Sequence, residues 1–296
     1  MRIFVTGATG FIGSALVPEL IGAGHQVLGL TRSDEGAERL KTAGAEVHRG
    51  DLEQPETLRA GAEKADAVIH LAFDHDFSRF QANAEKDQRN IAAMGDALLG
   101  SDRPLLITSG VGLGIRKPGE LGTEDYFDKH HPNPRIASEL AGETQLQRGV
   151  NVSVMRLPQV HDTEKQGLIP YFTALAKEKG VSAYVGEGTN RFAACHVSSC
   201  AQVYRLAIER GERGARWNAV QEEGVAMKPI AEALARGLKV PTKSLTPEEV
   251  PAHFGWMAMF AGADIVASSA MTQQKLGWKP FGPDLITDLN NMDYGV

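Results

Sequence analysis

The stretch Thr6-Gly7-Ala8-Thr9-Gly10-Phe11-Ile12-Gly13 lies close to the start of the chain and decides the fold. Residues 1–5 before it form a short apolar run, which is typical of a buried parallel strand. After it, apolar side chains recur at helical spacing between residues 12 and 21, and Gly24 is placed to end the helix. The order of strand, glycine turn and helix predicts the first unit of a parallel α/β sheet.

The glycines of this turn also predict a dinucleotide site. Glycine permits a tight turn, a close approach of backbone to a pyrophosphate, and close packing of helix on strand. The helix N-terminus then offers free N–H groups and the positive end of its dipole to the phosphates. Glycine turns also serve plain packing, but the agreement of strand, turn and helix favours a binding site. The residues predicted to bind the cofactor here are Gly7, Thr9, Gly10, Phe11, Ile12 and Gly13.

The end of the second predicted strand, residues 26–30, bears on the choice of cofactor. This strand runs into Thr31, Arg32 and Ser33. An acidic residue at this point would bind the ribose 2′-hydroxyl of NAD, whereas an arginine can pair with the 2′-phosphate of NADP. Asp34 lies slightly further on and is placed to cap the next helix. The sequence therefore predicts NADP(H) in preference to NAD(H), and the alternative for Arg32 is a solvated surface arginine.

Strands and helices alternate through the first half of the chain. Further strands are predicted at residues 46–49, 66–72, 104–108 and 150–156, with helices between them. This alternation predicts the α/β class and a doubly wound parallel sheet, in which ligands bind at the carboxyl ends of the strands. After residue 157 the pattern loosens. We expect a Rossmann domain over residues 1–157, a segment near 193–220 that returns to it, and a smaller, partly interleaved substrate lobe over 158–296.

Composition is that of a soluble globular protein and excludes several functions. Hydrophobic residues make up 42% of the chain and charged residues 23%, so an ordinary core can form. The net charge of −6 and the lack of a basic tract argue against nucleic acid and membrane surfaces as partners. Cys195 and Cys200 form neither a disulfide framework nor a metal-ligand pattern. With no apolar stretch long enough to cross a bilayer and no signal segment before the first strand, we expect a cytoplasmic protein.

The loop after the fourth predicted strand, residues 73–79, combines aromatic and polar side chains at the edge where ligands bind. Its Asp74-His75-Asp76 run raises the question of a metal ion. Adjacent residues seldom converge on one ion, and the sequence has no second cluster of His and Asp, so a loop without metal is favoured. After the fifth strand, a glycine-rich and charged segment reaching Pro134 is long enough to form a flap over the site.

Several motifs, spread over nearly the whole chain, resemble those of the extended short-chain dehydrogenases/reductases. That group includes sugar-nucleotide epimerases and 3β-hydroxysteroid dehydrogenases. The glycine turn matches their TGxxGxxG, Gly50-Asp51-Leu52 matches the segment whose aspartate binds the adenine amino group, and His70-Leu71-Ala72 matches the strand end that lines the cofactor. Arg156-Leu157-Pro158 resembles their Arg-x-Pro segment beside the nicotinamide. The further cofactor contacts that this resemblance implies are Asp51, Leu52, Leu71, Ala72, Phe73 and Pro158.

The sequence departs from this group at the catalytic residues. In these enzymes a tyrosine exchanges a proton with the substrate oxygen, a lysine four residues on lowers the tyrosine pKa, and a Ser or Thr polarises the carbonyl. Ser138 and Glu143 resemble the usual S-K-x-x-x-E helix, and counting from them puts Arg135 at the tyrosine position and Glu139 at the lysine position. The other register, His131-x-x-x-Arg135, resembles an atypical subgroup that has HxxxR in place of YxxxK.

The second register is chemically reasonable. A histidine titrates near neutral pH and can act as an acid or a base, and an arginine four residues later can hold the ribose or lower the histidine pKa. The resemblance gives Ser109 the carbonyl-polarising position. The expected catalytic residues are therefore Ser109, His131 and Arg135. In the alternative, His130 and His131 are solvent-facing loop residues of an inactive site.

Functions from different classes remain open at this point. The first is an NADP(H)-dependent oxidoreductase that moves a hydride to or from a small organic carbonyl or alcohol. Apolar side chains on a helix predicted near Pro247, among them Trp256 and Phe260, favour a small organic substrate over a nucleotide sugar. The second is an NADP-binding sensor or scaffold with an altered site, and a third is an epimerase or dehydratase. A small-molecule substrate is the expected partner, and the resemblance implies a homodimer.

Overall fold

The computed structural model describes residues 1–295, in which the strands form one large sheet and two small ones. The strands are β1 (Arg2–Thr6), β2 (Gln26–Thr31), β3 (Glu46–Arg49), β4 (Ala67–His70), β5 (Pro104–Gly110), β6 (Asn151–Leu157), β7 (Gln159–His161), β8 (Ser182–Val185), β9 (Arg191–His196), β10 (Arg216–Asn218), β11 (Glu222–Ala226) and β12 (Thr242–Leu245). Within the described residues, the main sheet has seven strands in the order β10-β6-β5-β4-β1-β2-β3. Its neighbouring strands pair in parallel, as the alternating pattern predicts.

The strand order fixes where a ligand can bind. Chain order reverses at β1, which pairs with β2 on one side and β4 on the other. At such a switch point the loops leave the carboxyl ends of adjacent strands in opposite directions and open a crevice between them. Here the switch point brings the glycine turn after β1 and the loop after β4 together at the carboxyl edge of the sheet, where they border the predicted crevice.

Helices cover both faces of the sheet. They are α1 (Phe11–Gly22), α2 (Asp34–Thr42), α3 (Pro55–Ala62), α4 (Phe80–Leu98), α5 (Ile136–Gln147), α6 (Ile169–Lys179), α7 (Val197–Arg210), α8 (Met227–Leu238), α9 (Val250–Phe254), α10 (Ala258–Ala261), α11 (Ala270–Leu276) and α12 (Leu285–Asn291). The core on one face is shared by α1, α2 and α7, and the core on the other by α3, α4 and α5. Because both faces are covered, the central strands are almost continuously buried and mostly apolar.

The second lobe has its own small sheets and its own core. β11, β9 and β7 form a three-stranded sheet, and β12 pairs with β8. Residues of α6, α8 and α12 build a separate apolar cluster. The chain also returns to the first lobe, because α7 packs on α1, β10 extends the main sheet, and Trp278 is buried in the first core.

The helix expected near Pro247 differs from the prediction. The structure has α9 from Val250, a 3₁₀ turn over Gly255–Met257, and then α10. Gly255 has φ of +54°, a left-handed conformation that ends α9 and separates the pieces. The break divides the apolar side chains of this segment: Phe254 and Met257 are buried, whereas Trp256 is 50% exposed.

Candidate active site at the carboxyl edge of the sheet

The glycine turn between β1 and α1 forms a cradle in which a side chain has no room. Gly7 has φ of +67°, and a Cβ there would lie 2.8 Å from the backbone nitrogen of Ala72. A Cβ on Gly13 would lie 2.1 Å from the carbonyl oxygen of Gly7. α1 begins after Gly10 with no side-chain cap and no acidic residue in its first turn, and Phe11, its first residue, is partly buried. Its first N–H groups can therefore bind an anion such as a pyrophosphate.

Two arginines lie beside this turn, on the side where the resemblance places the adenosine. Arg32 follows β2; its side chain is 81% exposed, and its Nη1 lies 3.8 Å from Oδ2 of Asp51. Arg39, on α2, donates a hydrogen bond from Nη2 to the carbonyl oxygen of Thr9 (3.0 Å). Sequence reasoning missed Arg39, because its approach to the turn depends on how α2 packs. Arg39 therefore brings a positive charge to the turn, while Arg32 lies beside the carboxylate of Asp51.

The other residues predicted near the adenosine shape the local backbone. Thr31 is buried, and Ser33 caps α2 by accepting a hydrogen bond from the N–H of Gly36 (3.0 Å). The carboxylate of Asp51 accepts from the N–H of Glu53 (3.0 Å) and stays partly exposed. Leu52 is half-buried against the core beneath it. Asp51 is therefore the member of this group whose carboxylate remains open to a ligand.

The loop after β4 closes the opposite side of the cradle. The N–H of Ala72 donates to Oγ1 of Thr6 (3.2 Å), and the N–H of Leu71 donates to the Thr6 carbonyl (3.3 Å). These bonds hold the loop against the glycine turn. Phe73 continues the loop with a partly buried ring, and Pro158 is partly buried just after β6. The positions predicted from strand ends therefore lie at the carboxyl edge of the sheet, and their contact with a cofactor stays a prediction.

A buried chain of polar side chains runs beneath this edge. His70 Nδ1 lies 2.6 Å from Oγ1 of Thr6, and His70 Nε2 lies 2.9 Å from Oδ1 of Asp87. The other oxygen of Asp87 accepts hydrogen bonds from Nη1 of Arg135 (2.7 Å) and Oγ of Ser138 (2.5 Å). Burial alone raises the pKa of Asp87, but the charge of Arg135 and the contact with His70 outweigh it and hold the pKa well below its usual range. Asp87 is therefore a carboxylate that anchors Arg135.

Arg135 is held at the sheet edge by further contacts. Its Nη2 donates to the carbonyl oxygen of Thr108 (2.8 Å), at the end of β5. Its Cζ lies 3.9 Å from the centroid of the Phe73 ring, a cation–π contact. The side chain remains 14% exposed. A guanidinium keeps its charge at neutral pH, so Arg135 can orient or polarise a ligand but cannot serve as its proton donor.

Glu139, at the lysine position of the register counted from Ser138, forms a buried ion pair with Arg156. Its carboxylate accepts two hydrogen bonds from Arg156, from Nε (2.8 Å) and Nη2 (2.9 Å), and both side chains are fully buried. Arg216 adds a third bond to it (3.0 Å). Arg156 also donates to the carbonyl oxygens of Thr123 and Tyr126, within the expected flap. Glu139 and Arg156 therefore fix that segment to β6, and neither is open to a ligand.

Ser109 and His131 are less well placed than Arg135 to contact a substrate at the edge of the sheet. Ser109 is 4% exposed in β5, and among residues 1–295 its Oγ has no hydrogen-bond partner. His131 lies before α5, and its Nδ1 accepts a hydrogen bond from the N–H of Asn133 (3.1 Å). Because α5 begins only at Ile136, His131 and Arg135 are not one turn apart on a helix. Within the described chain, no hydrogen bond joins His131 to Arg135.

Aromatic rings from both lobes meet across the mouth of the crevice. We call Phe73, Phe77, Phe80, Tyr171, Trp256 and Phe260 the interlobe aromatic cluster. Phe77 is its centre: its ring stacks on Trp256 (centroids 5.3 Å apart, planes 22° apart) and meets Tyr171 at 6.1 Å and Phe260 at 6.0 Å. Lys165, also from the second lobe, carries its Nζ to 5.9 Å from the Phe11 ring at the start of α1. The second lobe thus places aromatic rings against Phe77 and the ammonium group of Lys165 near the start of α1.

Comparison with known proteins agrees with this architecture. The model of the NAD dependent epimerase/dehydratase family matches residues 3–219. The chain belongs to that family. It therefore belongs to an NAD(P)-dependent group within the extended short-chain dehydrogenases/reductases, as the sequence motifs predicted.

Individual relatives and structures refine the comparison. The chain is 43% identical to an uncharacterized protein of Schizosaccharomyces pombe, over 99% of this chain and 100% of that one. It is 27% identical to a Stigmatella aurantiaca ketoreductase of a farnesylated dihydroquinoline oxide, over 72% of this chain and 66% of that one. A Thermus thermophilus UDP-glucose 4-epimerase solved with NAD has a TM-score of 0.74 at 19% identity, covering 98% and 97% of the two chains. A human epimerase family protein solved with NADPH has a TM-score of 0.73 at 18% identity, covering both chains fully.

Two further features of residues 1–295 bear on the site. No helix in that range has the length and apolar character needed to span a membrane. Over the same range, no group of three or more His, Cys, Asp or Glu side chains is arranged to hold a metal ion. In the register counted from Ser138 and Glu143, the residues at the tyrosine and lysine positions are Arg135 and Glu139, and both form ion pairs, with Asp87 and Arg156 respectively.

Proposed function

We propose that this protein is an NADP(H)-dependent oxidoreductase acting on a small organic carbonyl compound or the corresponding alcohol. The observation that carries the proposal is the position of Arg135, whose charged group lies at the end of β5 and against Phe73, beside the glycine cradle. A bound nicotinamide dinucleotide would supply or accept a hydride there. Arg135 would orient the substrate oxygen and favour the negative charge that develops on it.

The preference for NADP(H) rests on Arg32 and Arg39. Both guanidinium groups lie beside the glycine turn, where the 2′-phosphate of NADP(H) would be expected, and the Arg32 side chain is 81% exposed and able to move toward it. A charge-assisted hydrogen bond contributes roughly 1.5–3 kcal/mol. Arg32→Ala should therefore weaken NADPH binding by about tenfold or more and leave NADH binding nearly unchanged. An equal loss of affinity for NADPH and NADH would refute the role of Arg32 in binding the 2′-phosphate.

The substrate class follows from the interlobe aromatic cluster. Rings such as Trp256 and Phe77 suit an apolar or aromatic body, whereas a nucleotide sugar carries a diphosphate that would require several cations. The ketoreductase relative from Stigmatella aurantiaca acts, by its name, on a dihydroquinoline oxide that carries a farnesyl chain, and the apolar chain of that compound agrees with this choice.

The roles of Ser109 and His131 remain predictions. Ser109 would orient the carbonyl only after its side chain rotates, because its Oγ is buried within β5. His131 would exchange the proton through Nε2, because its Nδ1 is engaged by the N–H of Asn133. The proposal therefore depends on Arg135, and not on these two side chains.

A second candidate function is supported by one specific observation. Arg135 and Glu139 replace the usual catalytic pair and are both engaged in ion pairs, which would also suit an NADP-binding sensor without turnover. Incubation of the protein with NADPH and a panel of aryl and alkyl ketones and aldehydes, followed by NADPH absorbance, distinguishes the two. Consumption that Arg135→Met abolishes supports the oxidoreductase. Tight NADPH binding without consumption across the panel supports the sensor.

A further inference from the structure

His75 is an exposed residue of the loop that follows β4. Its ring centroid is 5.3 Å from that of Phe73 and 6.1 Å from that of Phe77. The guanidinium of Arg135 lies over the same Phe73 ring, with its Cζ 3.9 Å from the ring centroid. His75 therefore stands one aromatic ring away from the residue at the tyrosine position, at the same sheet edge as the glycine cradle.

Charged groups from both lobes face this imidazole. Burial by the surrounding protein lowers the pKa of His75 below its usual 6.5, and the positive charges of Arg135 and Lys165 lower it further. A hydrogen bond to the Phe73 backbone and the nearby carboxylate of Asp74 act in the opposite direction. The residue nevertheless keeps an exposed surface. His75 is thus an exposed imidazole that solvent and a ligand can both reach.

The loop that carries His75 is anchored on both sides. Oδ1 of Asp76 accepts a hydrogen bond from the N–H of Ser78 (3.1 Å), and Nδ2 of Asn83 donates to the Asp76 carbonyl (3.0 Å). The Phe77 ring is inserted among the rings of the second lobe, stacked on Trp256. These contacts fix the backbone on the far side of His75, and the bonds of Leu71 and Ala72 to Thr6 fix the near side.

We propose that His75 exchanges the proton with the substrate oxygen, in place of the tyrosine that position 135 lacks. The inference rests on the proposed oxidoreductase function. In reduction, the carbonyl carbon gains the hydride, the π electron pair of the C=O bond moves to oxygen, and that oxygen takes a proton from the His75 imidazolium. The neutral imidazole regains its proton from solvent. Arg135, which cannot supply this proton, stabilises the developing negative charge.

Chemical modification tests the location of His75 without any substrate. Diethyl pyrocarbonate acylates accessible neutral imidazoles, and mass spectrometry of the digested protein gives the rate at each histidine. We expect NADPH to slow acylation of His75 at least fivefold and to leave the exposed His130 unchanged. If NADPH binds but His75 reacts equally fast with and without it, the inference is overturned. If NADPH does not bind at all, the oxidoreductase proposal itself fails.

Matched histidine variants test the chemical role. His75→Gln should lower kcat for carbonyl reduction by about 100-fold or more, with melting temperature and NADPH affinity close to those of the wild type. For the wild type, reduction should slow as pH rises through the His75 pKa below 6.5, because the imidazolium is lost, and His75→Gln should remove that dependence. His130→Gln is the control and should change neither rate nor profile. An active His75→Gln variant with the wild-type pH profile, beside an inactive His131→Gln variant, would overturn the inference and return the role to His131.

Discussion

The buried pair of Glu139 and Arg156 gives the most quantitative prediction. Both side chains are fully buried, and the carboxylate of Glu139 accepts three hydrogen bonds of 2.8, 2.9 and 3.0 Å from Arg156 and Arg216. Glu139→Gln preserves the shape but removes the negative charge, which leaves the guanidinium of Arg156 buried without a counter-charge. Breaking such a pair costs about 3–5 kcal/mol. For a chain of this size the melting temperature should fall by roughly 5–8 °C.

Urea unfolding followed by circular dichroism measures this loss, and Glu143→Gln is the matched control. Glu143 lies on the same helix, but its side chain is 37% exposed and 3.6 Å from Arg216, so its replacement should cost at most about 1 kcal/mol. A loss for Glu139→Gln as small as that of the control would refute the structural role of position 139.

The same pair predicts how this loss depends on pH. Burial alone raises the pKa of Glu139, but the hydrogen bonds and charge of Arg156 outweigh it and hold the pKa below the usual 4.5. The stabilisation is therefore complete above pH 4.5 and is lost as pH falls through the lower pKa of the folded state. The difference between wild type and Glu139→Gln should shrink in acid. A difference that grows in acid would contradict the ion pair.

Two further predictions concern the cradle and the cysteines. Gly13→Ala should weaken NADPH binding more than tenfold, because its Cβ would lie 2.1 Å from the Gly7 carbonyl oxygen. Gly22→Ala is the control, because it lies on the same helix and its Cβ would have no atom within 4 Å. If calorimetric titration gives the two variants the same NADPH affinity, the close approach at Gly13 is refuted. Cys195 and Cys200 should resist iodoacetamide at pH 8 in the folded protein, because burial raises the pKa of both thiols, and rapid labelling without unfolding would contradict that burial.

The sequence predicted the elements whose signal is local. The apolar run of β1, the glycine turn and the period of α1 are read within about twenty residues, so the cradle and the parallel sheet followed from them. The pattern near Pro247 was misleading, because apolar side chains continue at helical spacing across Gly255 while the backbone there turns left-handed. Periodicity does not report such a break unless the glycine itself is given weight.

The site chemistry depends on contacts that no local pattern encodes. Asp87 and Arg135 lie far apart in sequence, and their ion pair exists because α4 and the start of α5 meet on one face of the sheet. The approach of Arg39 to the glycine turn likewise depends on the packing of α2. His75 was interpreted as part of a plain loop, since adjacent Asp and His residues suggested only a metal site, and its position relative to Arg135 appears only after folding.

A calorimetric titration of the purified protein with NADPH and with NADH, repeated for Arg32→Ala and Arg39→Ala, tests the central claim most directly. We predict that the wild type binds NADPH at least tenfold more tightly than NADH, and that either variant reduces this preference while leaving NADH affinity nearly unchanged. Equal affinity for the two cofactors would contradict the role of the arginines. Failure to bind either cofactor would contradict the assignment of the crevice between β1 and β4 as the cofactor site.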